Sequence, residues 1–189
     1  MDIKKREPII FIIAGKANAG KDTTADIIDN YAMLKELKAV NLQFSSYIKM
    51  YAKVISGWNG EEETKPRSLL QELGTEVIRN KIDNNFFINR IVGDIEVYSY
   101  YADLITISDA RLPEELDTIA KEFKNVYKLK INRPNFNNHL TTDEKHHRTE
   151  TALDNYNNYD YIIENDGTIE DLSIKVNEIV EKIIITSKK

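Results

Sequence analysis

Short runs of apolar residues alternate with amphipathic stretches along most of the chain. The first run, Ile9 to Ala14, is apolar at every position and lies between Pro8 and Gly15. Such a run predicts a strand that is buried on both faces, as the central strands of parallel sheets are. Further strands are predicted at 40–44, 104–108, 126–131 and 161–164.

Helical spacing of apolar residues separates the predicted strands. Ala25, Ile28 and Ala32 fall on one face of a helix that follows the first strand. Further helices are predicted at 47–55, 69–78, 87–95, 113–124 and 168–184. Strands that alternate with helices predict an α/β fold with a five-stranded parallel sheet.

Length, charge and cysteine content narrow the function classes. The 189 residues fit a single domain, and the net charge of −5 argues against a broad basic surface, so we expect no nucleic-acid partner. The lack of cysteine excludes disulfides and thiolate metal sites and suits a reducing compartment, so we expect a cytoplasmic protein. The first apolar run is too short to span a membrane, so we expect no membrane partner, and a homodimer stays open.

A phosphate-binding loop is predicted between the first strand and the first helix. Gly15 to Thr23 has the spacing G-x-x-x-x-G-K, followed by Asp and Thr. Its glycines let successive backbone N–H groups point at phosphate oxygens, the helix N-terminus adds partial positive charge, and Lys21 would neutralise the β- and γ-phosphates. The predicted ATP-binding residues are Gly15, Ala17, Asn18, Ala19, Gly20, Lys21, Asp22, Thr23 and Thr24.

Asp22 departs from the usual pattern of this loop. The residue after the lysine is normally Ser or Thr, whose hydroxyl binds magnesium, and here the hydroxyl moves to Thr23. The Asp22 carboxylate could hold the metal directly, hold it through water, or polarise an acceptor group. The residues alone leave these roles open.

Five segments, in this order along the chain, carry a resemblance to one family. They are Gly20 to Asp26 (GKDTTAD), Arg67 to Glu76 (RSLLQELGTE), Ser108 to Glu115 (SDARLPEE), His147 to Glu150 (HRTE) and Asn165 to Thr168 (NDGT). Together they resemble the motifs of the deoxynucleoside monophosphate kinases of phages and bacteria. The resemblance implies a three-layer P-loop fold with a small lid. It also implies transfer of the ATP γ-phosphate to a (deoxy)nucleoside monophosphate, with Mg²⁺ as cofactor.

The acceptor site is implied by the second and third segments, within helices at about 45–100. Arg67 and Gln71 lie four residues apart on one helix face, for which a solvated surface is the simpler explanation without the family. The implied acceptor-binding residues are Arg67, Gln71, Gly74, Thr75, Phe87, Asp109, Arg111 and Glu115. For Phe87, core packing is an equal alternative. For the last three, a salt-bridge cluster at a strand end is the alternative.

The resemblance also implies the catalytic groups. These are Lys21, Asp22, Asp109, Arg111 and Arg148. The three cations would stabilise charge on the transferring phosphoryl group, and the two aspartates would manage Mg²⁺, directly or through water. Asn165 and Gly167 would lie near the base of ATP.

The polar stretch at about 133–150 would be the lid. Closing it would exclude water from the reacting phosphates. Its arginine would be Arg148, with Arg133 and Lys145 as weaker candidates. Three histidines nearby could suggest a metal site, but a polar lid is the better interpretation in the absence of a tight carboxylate cluster. They are His139, His146 and His147.

Two alternatives to this function remain open. A different small-metabolite kinase of the same fold, such as a dephospho-coenzyme A or phosphomevalonate kinase, would differ only in its acceptor. A nucleotide-switch GTPase is a different class, and Asn80 to Asp83 matches its N-K-x-D signature. That segment lies in a predicted helix, and no D-x-x-G follows the phosphate loop, so we interpret the match as coincidence.

Overall fold

A computed structural model describes residues 4–134 and 148–187. Its strands form one parallel five-stranded sheet in the order β2-β3-β1-β4-β5. They are β1 Ile9–Ala14, β2 Ala39–Leu42, β3 Leu104–Ala110, β4 Val126–Asn132 and β5 Tyr161–Glu164. The apolar run at the start of the chain is the central strand, as its uninterrupted hydrophobicity predicted.

Helices connect the strands and close the chain. They are α1 Lys21–Leu34, α2 Phe44–Ser56, α3 Arg67–Gln71, a π-helix Glu72–Ile82, α4 Phe86–Tyr98, α5 Pro113–Glu122, α6 Arg148–Thr151 and α7 Ile169–Ser187. In the parts of the chain that the structure describes, no helix combines the length and apolar character needed to cross a membrane.

The sheet separates two hydrophobic cores, which gives three layers. Successive side chains of a strand point to opposite faces, so Ile10 and Ile12 enter one core and Phe11 and Ile13 the other. The first core contains residues of α2, α4 and α5, and the second contains residues of α1 and α7. The three-layer α/β architecture predicted from the sequence is thereby confirmed.

Three local features differ from the sequence prediction. The second strand stops at Leu42 and α2 begins at Phe44, because an aspartate carboxylate accepts the first backbone N–H groups of α2. The third strand continues past Ser108, since Ala14 still pairs with Ala110. The predicted apolar face of α2 is only partly buried, and Val54 lies exposed.

The π-helix was not predicted. It continues α3 without a break, because Gln71 and Glu72 at the junction both have right-handed helical dihedral angles. π-helices are rare and are frequently found at functional sites. The apolar spacing at 69–78 indicated a helix but could not distinguish an i+4 from an i+5 hydrogen-bond pattern.

Candidate active site

The phosphate loop joins the end of β1 to the start of α1. Asn18 and Gly20 both have left-handed backbone angles, with φ of 58° and 104°. A Cβ atom on Gly20 would lie 2.6 Å from the Asn165 side-chain nitrogen, and one on Gly15 would lie 2.6 Å from the backbone oxygen of Ile131. Both glycines are therefore needed where other parts of the chain pack against the loop.

Lys21 opens α1 and is only 7% exposed. Its Nζ donates a hydrogen bond to the backbone oxygen of Lys16 at 2.8 Å, within the loop. Burial lowers the pKa of Lys21 to about 8, and the nearby charge of Arg111 acts in the same direction. Its ammonium group is therefore held in the loop at a desolvation cost.

Residues that follow β4 and β5 hydrogen-bond to the backbone of the loop. Asn165, after β5, donates from Nδ2 to the Ala19 backbone oxygen at 2.8 Å, and its own N–H donates to the backbone oxygen of Asn132. Arg133 donates to the Asn18 backbone oxygen at 3.2 Å. The predicted base-side residue Asn165 thus contacts the loop backbone, whereas Gly167 is exposed just before α7.

Asp109, near the end of β3, holds the start of α2. One carboxylate oxygen accepts the Phe44 N–H and the other accepts the Ser45 N–H, each at 2.9 Å. A carboxylate in this position satisfies free N–H groups at a helix N-terminus and complements the helix dipole. Both oxygens of this predicted metal ligand are thus engaged with backbone.

Glu150, in α6, lies against the phosphate loop. Its Oε2 accepts the Ala17 N–H at 3.0 Å, and its Oε1 forms an ion pair with Arg111. The loop N–H and the arginine are both groups that phosphate-binding sites use as donors. The sequence placed Glu150 in the lid motif but did not predict this contact.

Glu115 and Arg79 form a second ion pair at the cleft. Glu115 is 1% exposed, and its Oε1 accepts from Arg79 Nη2 at 2.7 Å. Its Oε2 accepts the backbone N–H groups of Arg111 and Leu112. Burial raises the pKa of Glu115 to about 7, although Arg79 and the backbone donors act in the opposite direction. Arg79 lies on the π-helix, and no motif in the sequence marked it.

The remaining predicted acceptor residues lie along α3, the π-helix and α4. Arg67 is exposed and pairs with Glu62 at 3.0 Å, and Gln71 is also exposed. Gly74 is buried, and a Cβ there would lie 3.6 Å from Ile48 of α2. Phe87 is 3% exposed in α4. This buried position fits the core-packing alternative for Phe87, although the residue also lines the cleft.

A cleft of about 1250 Å³ brings most predicted residues together. Its predicted lining residues are Ala17, Asn18, Gly20, Lys21, Asp22, Thr23, Arg67, Gln71, Gly74, Thr75, Phe87, Asp109, Arg111 and Glu115. Gly15 and Ala19 line a smaller neighbouring pocket together with Ala17. Thr24 is buried behind the loop, where its hydroxyl bonds the Gly20 backbone oxygen.

Other predicted residues lie away from the cleft or outside the residues that the structure describes. Arg148 pairs with Glu114 at 2.6 Å and does not line the cleft. Lys145 and the three histidines of the predicted lid lie outside the described residues. Among residues 4–134 and 148–187, no three His, Asp or Glu side chains cluster in a way that would hold a metal ion by themselves.

Residues 32–176 match the family model described as deoxynucleotide monophosphate kinase. The matched range begins after the phosphate loop, so the family evidence and the loop geometry come from different parts of the chain. A protein of Acanthamoeba polyphaga mimivirus, provisionally named as a deoxynucleotide monophosphate kinase, is 27% identical over 193 residues. The alignment covers 92% of this chain and 96% of the viral protein.

Three kinases of known structure share the fold. An APS kinase of Mycobacterium tuberculosis, solved with AMPPNP and APS, has a TM-score of 0.55 and 11% identity, covering 93% of this chain and 99% of that chain. A gluconokinase of Sinorhizobium meliloti 1021 has a TM-score of 0.54 and 8% identity, with 95% of each chain covered. The shikimate kinase of Aquifex aeolicus vf5 has a TM-score of 0.52 and 11% identity, covering 94% of this chain and 99% of that chain. At these identities the likeness shows the fold alone.

Proposed function

The chain belongs to the deoxynucleotide monophosphate kinase family, and we propose that the cleft described above is where it transfers the ATP γ-phosphate to a (deoxy)nucleoside monophosphate. The observation that carries the proposal is the composition of the cleft. A phosphate loop forms one wall, and the helical segment that resembles the family's acceptor site forms another. Pockets for a single small ligand usually enclose about 300–1,000 Å³, so a cleft of about 1250 Å³ suits two nucleotides.

On the donor side, the loop backbone and Lys21 would hold the ATP phosphates. The loop N–H groups and the start of α1 suit an anion, and the buried ammonium of Lys21 adds a full charge. Asn165 would act by fixing the loop backbone, because its side-chain amide is bonded to Ala19.

Transfer itself would depend on position and charge. The reaction needs the acceptor phosphate in line with the γ-phosphate and positive charge around the oxygens in transit. Lys21 and Arg111 are the predicted catalytic cations that line the cleft. The catalytic role of Arg148 stays a prediction, since its described contact is with Glu114 outside the cleft.

The residues present fit a Mg²⁺ ion that is shared with substrate phosphates. Mg²⁺ is commonly bound through one or two carboxylates plus phosphate oxygens and waters. Asp22 is exposed in the first turn of α1 and lines the cleft, so its carboxylate would be the protein ligand. Asp109, with both oxygens hydrogen-bonded, would act through water. When bound, the ion would neutralise charge on the phosphates.

Three broader expectations stay predictions. They are a single kinase domain over 1–189 with acceptor helices at about 45–100 and a lid at about 133–150, a cytoplasmic location, and an optional homodimer. We propose them together with the reaction, since the described residues supply no separate test.

A coupled assay of ADP release over a panel of acceptors tests the proposed function. The panel contains the deoxynucleoside and ribonucleoside monophosphates, dephospho-coenzyme A and phosphomevalonate, each with ATP or GTP as donor. We expect turnover with ATP and one or more nucleoside monophosphates. In Lys21→Ala, the turnover rate should fall by about a hundredfold or more. Turnover only with another acceptor, or GTP hydrolysis without an acceptor, would overturn the proposal.

A further inference from the structure

Arg79 is a charged residue of the cleft that has no predicted role, although its partner Glu115 is a predicted acceptor-binding residue. The Arg79 side chain is 14% exposed and that of Glu115 is 2% exposed. Burying two charges costs free energy that their mutual attraction often only offsets, so such a pair is weak evidence for a role in stability. Stability alone therefore does not explain the position of Arg79 beside Glu115 at the cleft.

Glu115 is fully engaged, whereas Arg79 is not. The two oxygens of Glu115 accept three hydrogen bonds, one from Arg79 and two from backbone. A guanidinium carries five N–H donors, and the residues that the structure describes accept only one hydrogen bond from Arg79. Because Arg79 also lines the cleft, its other donors remain for a ligand there.

Two neighbours orient the guanidinium. Glu115 binds one edge, and the Phe87 ring lies beneath, 5.0 Å from the guanidinium carbon to the ring centroid. Arg79 therefore occupies one face of the Phe87 ring. An arginine clamped in this way loses little further freedom when it binds a ligand, which favours tight and directional binding.

The other hydrogen bonds of Glu115 indicate whether Arg79 would meet the phosphate or the base of the acceptor. The same carboxylate binds Arg79 and the backbone N–H of Arg111, each at 2.7 Å. The Arg111 side chain reaches Glu150, which is bonded to the phosphate loop. Arg79 therefore lies on the phosphate-transfer side of the acceptor site, where the acceptor phosphate must be.

Arg67 makes a useful contrast. Its side chain is 64% exposed and pairs with an equally exposed Glu62. Solvent weakens the electrostatic contribution of such a rim arginine, whereas a largely buried arginine acts at lower effective dielectric.

From these contacts we infer that Arg79 is the main anchor of the acceptor's phosphate, that Glu115 and Phe87 position it, and that Arg67 contributes at the rim. The inference rests on the proposed nucleoside monophosphate kinase activity and assigns a phosphate-binding residue within the same site.

The test compares Arg79→Met with Arg67→Met, using Arg90→Met as the matched control. Arg90 lies on α4 against Phe86 and Tyr47 and does not line the cleft. We expect Arg79→Met to lower kcat/KM for the acceptor by about a hundredfold, as the loss of a desolvated charge contact does, while KM for ATP changes by less than about threefold. Arg67→Met should lower kcat/KM for the acceptor by less than about tenfold, and Arg90→Met should match the wild type.

A second measurement separates a phosphate contact from a base contact. The deoxynucleoside that lacks the phosphate should inhibit wild type and Arg79→Met with the same inhibition constant. If the nucleoside binds more weakly to Arg79→Met, the arginine reads the base or sugar and the inference is wrong. Unchanged acceptor constants in Arg79→Met, or equal changes for ATP and acceptor, would also overturn it.

Three further variants distinguish a lost contact from misfolding. The double change Arg79→Met with Glu115→Gln removes both charges, and Arg79→Lys keeps the charge but loses the planar fork. The double variant should melt near the wild-type temperature and keep the acceptor defect, and Arg79→Lys should recover only part of the loss. A Glu115→Gln variant should change the acceptor constants and leave the ATP constants alone, which a general loss of structure would not do. Wild-type activity on a monophosphate is measured first, because its absence would overturn the proposed function, whereas an active enzyme insensitive to Arg79 would overturn only this inference.

Discussion

Burial controls the charge of individual residues in the cleft. Lys21 is buried beside Arg111, which lowers its pKa to about 8 from an ordinary value of 10.5. Between these pH values the folded chain binds fewer protons than the unfolded chain. The free energy of unfolding therefore rises with pH through this window, as the cost of the buried charge disappears. At neutral pH the charge is therefore retained at the expense of stability, as the proposed phosphate-binding role of Lys21 requires.

This lowered pKa predicts proton uptake when ATP binds. Phosphate charges beside Lys21 favour its protonated form, so ATP binding at pH 8 should take up a fraction of a proton. Calorimetric titrations in two buffers of different ionisation enthalpy measure this number. Lys21→Arg is the control, because arginine stays charged at that pH and should take up none. Equal uptake by both proteins would show that another group is responsible.

At the scale of elements, Asp109 ties β3 to α2. Its carboxylate accepts two N–H groups at the start of α2, and that helix contributes Ser45, Ile48 and Lys49 to the cleft. One aspartate therefore links the strand end that carries Arg111 to a wall of the cleft.

Asp109→Asn should weaken this link and change the Mg²⁺ requirement less than Asp22→Asn does, because Asp109 would act on the ion only through water. An amide has one acceptor oxygen, so one N–H of α2 would lose its partner at a cost of about 1 kcal/mol, with a lower melting temperature and a higher KM for the acceptor. Asp22→Asn is the comparison, and it should raise the Mg²⁺ concentration for half-maximal activity. Should Asp109→Asn alone raise the Mg²⁺ requirement, its main role would be at the metal.

The short helix α6 is docked on the phosphate loop through Glu150. The Glu150 carboxylate accepts from Ala17 N–H and pairs with Arg111, two groups that an ATP phosphate would also need. An anionic side chain and an anionic ligand therefore compete for the same donors.

Glu150→Gln should accordingly strengthen ATP binding, by roughly tenfold if one charge-assisted hydrogen bond no longer has to be displaced. Equilibrium titration with a non-hydrolysable ATP analogue measures the affinity. Glu114→Gln is the matched control, since Glu114 pairs with Arg148 outside the cleft and should leave the affinity unchanged. Weaker binding by Glu150→Gln would mean that the carboxylate assists ATP instead of competing with it.

At the scale of the whole molecule, the parallel sheet determines where the site forms. The carboxyl ends of β1 and β3 lie side by side, and each is followed by a segment that lines the cleft. Sites in open α/β sheets form at this edge because the loops after adjacent strands converge there. The helices at 44–82 then close the opposite side of the cleft.

If the cleft holds both substrates as proposed, a particular pattern of inhibition follows. A compound with two nucleosides joined by a chain of phosphates should compete with ATP and with the acceptor, because it occupies both walls. AMPPNP, which carries one nucleoside, should compete with ATP only. Inhibition patterns in steady-state kinetics decide the matter, and competition of the two-headed compound with ATP alone would place the acceptor elsewhere.

Several features were predictable from the sequence because their causes are local. The strand Ile9–Ala14 has the same bounds in the structure as in the prediction, since six consecutive apolar residues bounded by Pro8 and Gly15 are short for a buried helix and suit a central strand. The phosphate loop and the strand at Tyr161–Glu164 were likewise marked by spacing and by flanking polar residues. The π-helix and the early start of α2 were not, because hydrogen bonds that apolar spacing does not reveal determine them.

The sequence by itself therefore determined the fold class, the phosphate loop and the family, since each depends on residues near one another in the chain or on whole motifs. The tertiary structure alone decided what the charged side chains contact. Glu150 meets Ala17 across 133 positions, Asp109 meets Ser45 across 64, and Arg79 meets Glu115 across 36. No local pattern encodes such pairs, because the sheet order and the packing of helices on its two faces bring them together. The roles proposed for the arginines of this cleft rest on that packing.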